Sequence, residues 1–180
     1  MTEQMVALLA TEMDEAWEGL RQRLDGLTDD EFFWEPVSGG WTVRTAEDGH
    51  WIVDYADPAP DPPPFTSIAW RLVHVAACKV MYHEYAFGRG KLTWDELEIP
   101  HTAADAIAWL EEGHARLRTA LKQLRDADLE EMASTNWGDQ WPTWRILWAM
   151  ILHDLHHGAE IGCLRDLYRA AWGDAGQSNS

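Results

Sequence analysis

The stretch from Pro142 to Trp172, PTWRILWAMILHDLHHGAEIGCLRDLYRAAW, decides the fold. Ile146, Met150, His153, His157, Ile161, Leu164 and Tyr168 recur at steps of three and four, so they form one face of a helix. Proline is favoured at the first helical position, and this predicts a start at Pro142 and a stop at Gly173. Two histidines thus sit in a stripe that should face a protein interior.

Three further stretches carry the same periodicity. A first helix is predicted from about Thr2 to Asp25, with the stripe Val6, Leu9, Met13, Ala16, Leu20, Leu24, Leu27 and a stop at Gly26. A second runs from about Thr66 to Phe87 and presents Trp70, His74, Ala77, Met81 and Tyr85. A third starts with Thr102 as its cap and presents Ile107, Leu110, His114, Leu117, Leu121 and Leu124. Thr28-Asp29-Asp30-Glu31 and Thr93-Trp94-Asp95-Glu96 read as short capped turns. Val37 to Phe65, with Gly39, Gly40, Gly49 and the proline run 57–64, reads as loop. No strand pattern stands out. The expectation is an all-α, four-helix bundle with a long crossover between helices 1 and 2. One domain would cover residues 1–172, with 173–180 as a disordered C-terminal tail.

Composition narrows the functional classes. In 180 residues there are 31 acidic and 14 basic side chains, a formal charge of −17, with no basic run. Such a chain repels phosphate backbones, so no nucleic acid and no anionic membrane surface is expected as a partner. The longest apolar run, Ile146 to Leu152, is far too short to span a bilayer. Met1-Thr2-Glu3-Gln4 lacks a basic n-region, so no secretory signal is expected. Two cysteines, Cys78 and Cys163, make no disulfide framework, and a reducing, cytoplasmic setting follows. Both are expected to be small core residues rather than nucleophiles. Twelve tryptophans supply an excess of large rigid surface.

Chemistry concentrates in His153-Asp154-Leu155-His156-His157. His153 and His157 are one turn apart on one face, and two imidazoles so spaced can reach one ion. Buried rings need partners for a donor and an acceptor each, and a metal would serve both. A third ligand could come from His74 on the second helix, with His114 and His156 as rivals. Three histidines around a zinc-type ion would leave one position open to water or substrate, a catalytic arrangement.

Taken together, three segments resemble the DinB/YfiT-like superfamily of helical-bundle proteins. They are Ser67-Ile68-Ala69-Trp70-Arg71-Leu72-Val73-His74-Val75, His153-Asp154-Leu155-His156-His157-Gly158-Ala159-Glu160-Ile161, and Trp34-Glu35-Pro36 with Gly40-Trp41-Thr42-Val43-Arg44. The resemblance implies a divalent metal, zinc or nickel, held by His74, His153 and His157. It also implies a transferase that activates a low-molecular-weight thiol of the bacillithiol, mycothiol or glutathione type for attack on a small electrophile, in detoxification or stress response. A homodimer is a further implication. A non-catalytic metal-binding or interaction protein and a metal-dependent hydrolase are the alternatives. The resemblance assigns no catalytic side chain.

Outside the histidines, Asp154 and Glu160 read either as acceptors that orient the ligands or as solvated carboxylates, the second reading being preferred. Arg44, Arg71 and Arg145 are candidates to bind a thiol cofactor's carboxylates. Trp34, Trp41 and Trp51 either form a lid or pin the crossover to the bundle. His50, His83 and His101 lack partner spacing.

Overall fold

The computed structural model describes residues 3–172. Four long helices, α1 (Gln4–Leu24), α3 (Ile68–Phe87), α4 (Ala103–Leu121) and α5 (Thr143–Trp172), form the expected all-α bundle, and a one-turn α2 (Asp29–Phe32) follows α1. The anticipated stripes are the packed faces. Leu9, Met13, Ala16, Leu20 and Leu24 of α1 are buried, as are Leu110, His114, Leu117 and Leu121 of α4. α1 lies mainly against α5, and α3 lies between α4 and α5. The predicted tail 173–180 and the predicted start at Thr2 lie outside the described residues.

Local chemistry sets the helix ends. α1 stops where Gly26 takes φ 67°, a left-handed conformation open to glycine. Thr28 and Glu31 close the capping box of α2. α3 begins at Ile68, close to the predicted start, and its cap is Ser67, whose Oγ accepts from the Trp70 N–H at 3.2 Å and donates to Thr42 Oγ1 at 2.7 Å. Thr102 caps α4 as expected, and Asp29 accepts from the first backbone N–H of that helix at 2.7 Å.

Two connections expected to lack strands contain hairpins. In the crossover, β1 (Val43–Thr45) pairs antiparallel with β2 (Trp51–Val53); before α5, β3 (Met132–Ser134) pairs antiparallel with β4 (Gln140–Pro142). Strands of three residues are too short to show alternation, which is why the sequence hid them. Pro142 therefore ends β4 instead of opening α5, which begins at Thr143. At a strand's last position its missing N–H costs no interior ladder bond. Trp34 packs edge-on to Tyr168 at 5.5 Å, and Trp51 stacks on His101 at 4.7 Å, so these two rings pin the crossover to the bundle.

Two buried ion pairs cross the helical layers. Arg165 of α5 forks onto both oxygens of Glu31 at 3.1 Å, and its Nη1 donates to the carbonyls of Arg23 and Asp25 at 2.6 and 2.8 Å. The guanidinium thus satisfies carbonyls where α1 ends. Lys79 of α3 reaches Asp154 of α5 at 2.7 Å, with both side chains at or below 1% exposure. Burial of Asp154 corrects the expectation of a solvated carboxylate. Its partner lies 75 residues away in sequence, so no local pattern reveals it. Cys163 also departs from expectation: it is exposed, while Cys78 is buried. α5 is apolar on two sides, because Trp144, Trp148, Leu152 and Leu155 face outward. No helix among the described residues is long and apolar enough to cross a membrane.

Candidate metal centre

α3 and α5 bring three histidines to one place. Ring centroids lie 5.5 Å apart for His74 and His153, 5.2 Å for His74 and His157, and 5.8 Å for His153 and His157. The two α5 rings follow from their one-turn spacing, and His74 arrives because its own stripe packs against α5.

Each α5 ring is held from outside the cluster. His153 Nδ1 lies 2.7 Å from the Ala149 carbonyl oxygen, which can only accept, so Nδ1 carries the proton. His157 Nδ1 lies 2.8 Å from Glu160 Oε2 and donates to it in the same way. The neutral rings then keep an unprotonated Nε2, the donor a metal needs. Arg71 is paired with the same Glu160 oxygen, and His156 Nε2 stands 3.3 Å from the other. Glu160 is therefore a positioning residue for His157, the less favoured of its two sequence readings.

Electrostatics keeps the rings neutral. Burial, reinforced by the neighbouring His153, holds His74 down to about 4. Burial and then the surrounding histidines hold His157 down to about 2. Burial also lowers His153, against the pull of the Ala149 carbonyl. Neutral imidazoles are the form that ligates, so the donor set is one that could hold a metal ion.

The residues around the cluster are largely aromatic. Trp70 stacks on His74 at 4.7 Å and donates from Nε1 to the Asp54 carbonyl at 2.8 Å, which fixes the indole. Trp41 lies against Trp70 at 6.0 Å, at the edge of the site rather than against the core. Tyr82 stands 6.4 Å from His153 and 5.4 Å from Trp137.

The other candidates lie elsewhere or are engaged. His114 stacks on Trp17 of α1 at 4.1 Å. His156 is largely exposed. Arg44 pairs with Asp54, Arg71 with Glu160, and Arg145 lies over the Trp141 ring at 4.0 Å. His50 pairs with Asp48, and His83 lies near Phe87.

Cys78 is buried, as expected of a small core residue, and it also stands beside the histidines, which its core reading left out. Potential donor atoms of His74, Cys78 and His153 all lie within 4.8 Å of one another. Burial pushes this thiol up to about 12. The signal was present, since Cys78 follows His74 by four residues and shares its face. A second group, His156, His157 and Glu160, meets the same distance criterion nearer the surface.

Fold and cluster together define a helical-bundle protein with a possible three-residue metal site between two helices. The family model of the DinB superfamily matches residues 12–161, and the chain belongs to that superfamily. No curated protein matches the chain.

Proposed function

We propose that the protein is a divalent-metal-dependent transferase in which His74, His153 and His157 hold the ion and a low-molecular-weight thiol attacks a small electrophile. The observation that carries this reading is the outward anchoring of both α5 rings: Nδ1 of His153 on a backbone carbonyl and Nδ1 of His157 on Glu160. Such outer partners fix the tautomer and aim Nε2 inward, as in carboxylate–histidine–metal arrangements. An ion held there would favour the thiolate form of a thiol at the open position, and the thiolate is the nucleophile.

The chain's own residues supply the rest. Three uncharged ligands leave the full charge of the ion to act on the thiol. Trp70 and Tyr82 offer apolar surface on which an electrophile can rest. Arg71 holds Glu160 in place and is thereby occupied, which leaves Arg145, stacked on Trp141, as the candidate to meet a carboxylate of the thiol.

The test begins with metal content by mass spectrometry on tag-free protein and on the His153→Ala, His157→Ala double variant. About one ion per chain, absent in the variant, is expected. Glu160→Gln should weaken metal affinity by roughly 10- to 100-fold, as outer partners typically do. Turnover is then read as displacement of chloride from chlorodinitrobenzene by glutathione. Metal uptake with no thiol or ester chemistry would make this a metal-binding protein without turnover, and ester cleavage without thiol would make it a hydrolase. A chain that takes up neither zinc, nickel nor manganese sinks the proposal.

A further inference from the structure

The three-histidine reading treats the fourth coordination position as open. We infer that Cys78 fills it: its sulphur is a ligand beside His74 and His153, so that the chain itself completes a site of three imidazoles and one thiolate. This rests on the metal reading above and not on thiol transfer.

Placement is the first argument. Cys78 lies one turn beyond His74 on α3, and its Sγ stands 3.7 Å from His74 Nε2 and 3.9 Å from Nδ1. With zinc–sulphur and zinc–nitrogen bonds of about 2.3 and 2.05 Å, a tetrahedral angle sets sulphur and nitrogen donors about 3.5 Å apart. The observed 3.7 Å is close to that spacing, while the nearly equal 3.9 Å to Nδ1 sets Sγ beside the ring, so the Cys78 side chain must turn to share an ion with Nε2. The His153 donor completes a group whose potential donor atoms all lie within 4.8 Å of one another.

Chemistry is the second argument. The side-chain polar contacts of Cys78 are the two His74 ring nitrogens at 3.7 and 3.9 Å, and a thiol there is only a weak donor. A packing role alone would be served by alanine or valine at this position. A soft sulphur among imidazoles instead suits zinc, or copper in its reduced state, over harder ions. Exposed Cys163 cannot substitute, because it lies on the outward side of α5.

The consequence concerns the character of the site. Three histidines and a water make an open set, whereas four protein donors make a closed one. The closed set is the resting form, and an external thiol enters by displacing the Cys78 sulphur, which takes up the proton that the incoming thiol gives up.

The test uses full-length protein carrying Cys163→Ala, so that Cys78 is the one remaining cysteine. Zinc X-ray absorption should show one sulphur scatterer at about 2.3 Å among nitrogen neighbours. Cobalt substitution should give a thiolate charge-transfer band in the near ultraviolet. In the Cys78→Ala variant both signatures should vanish while one cobalt still binds, and Cys78→Ser should keep the fold and likewise lose the band. Metal bound with nitrogen and oxygen neighbours alone in the parent protein would overturn this inference and leave the three-histidine site standing. Failure to bind any metal would remove both together.

Discussion

The bundle buries histidines in two regions, and the two differ in company. On the α3–α5 side, three rings approach one another, and the two from α5 are tied on Nδ1 to acceptors outside the cluster. On the α1–α4 side, His114 stands alone against Trp17, and its Nδ1 has no partner. Burial holds His114 down to about 4, much as it holds His74. A neutral buried imidazole is therefore common to both regions and does not distinguish a site. What distinguishes the first is convergence of rings plus outer acceptors that choose the tautomer.

Lys79 lies between these regions and offers the strongest way to disturb both. Its ammonium holds Asp154 at 2.7 Å and stands 5.9 Å from the Trp17 ring. Lys79→Met keeps the volume but strands a carboxylate that is already short of a partner on Oδ1. The expected loss is about 3–5 kcal/mol in urea unfolding, with the double variant Lys79→Met, Asp154→Leu recovering much of it. A single variant as stable as the parent would show that the ion pair does not bind the regions together.

The next effect separates the regions by acid. Histidines with lowered folded-state values take up protons in the unfolded chain first, so the metal-free protein loses stability as pH falls below about 6.5. Each ring that stays neutral in the fold contributes about 1.4 kcal/mol per pH unit until its own folded value is reached. For His114, that window closes at about 4. Between pH 6.5 and 5, His114→Phe should therefore lose about 2 kcal/mol less than the parent. Parallel stability curves for the two proteins would contradict a neutral His114.

The smallest effect is the one that sharpens the contrast. At pH 7, His114→Phe preserves an aromatic ring against Trp17 and removes the unpartnered nitrogen. Its stability should stay within about 1 kcal/mol of the parent, and its metal content should be unchanged. Loss of metal in this variant would return His114 to the ligand set.

Much of this could be read along the chain, for reasons that end at definite residues. The long helices were legible because Leu9 to Leu24, Leu110 to Leu121 and Ile146 to Leu164 repeat over many turns. The hairpins were not, because Val43–Thr45 and Gln140–Pro142, at three residues each, are too short for an alternation to repeat. His74, His153 and His157 could be nominated from their stripes, and the bundle does set their rings side by side. The pairing of Asp154 with Lys79 could not, since it depends on how α3 meets α5. A lysine inside the apolar run 75–81 was nevertheless a visible anomaly, and it called for a buried partner.

The fork of Arg165 onto Glu31 has a consequence for the order of assembly during synthesis. These residues are 134 apart, and a ribosome adding about 5–20 residues per second separates them by roughly 7–27 s. For that interval the emerging α1–α2 corner holds an acidic side chain without its counter-ion and carbonyls without their donor. The nascent chain must keep that corner unfinished until the last helix leaves the tunnel, so the amino-terminal end is made first and completed last.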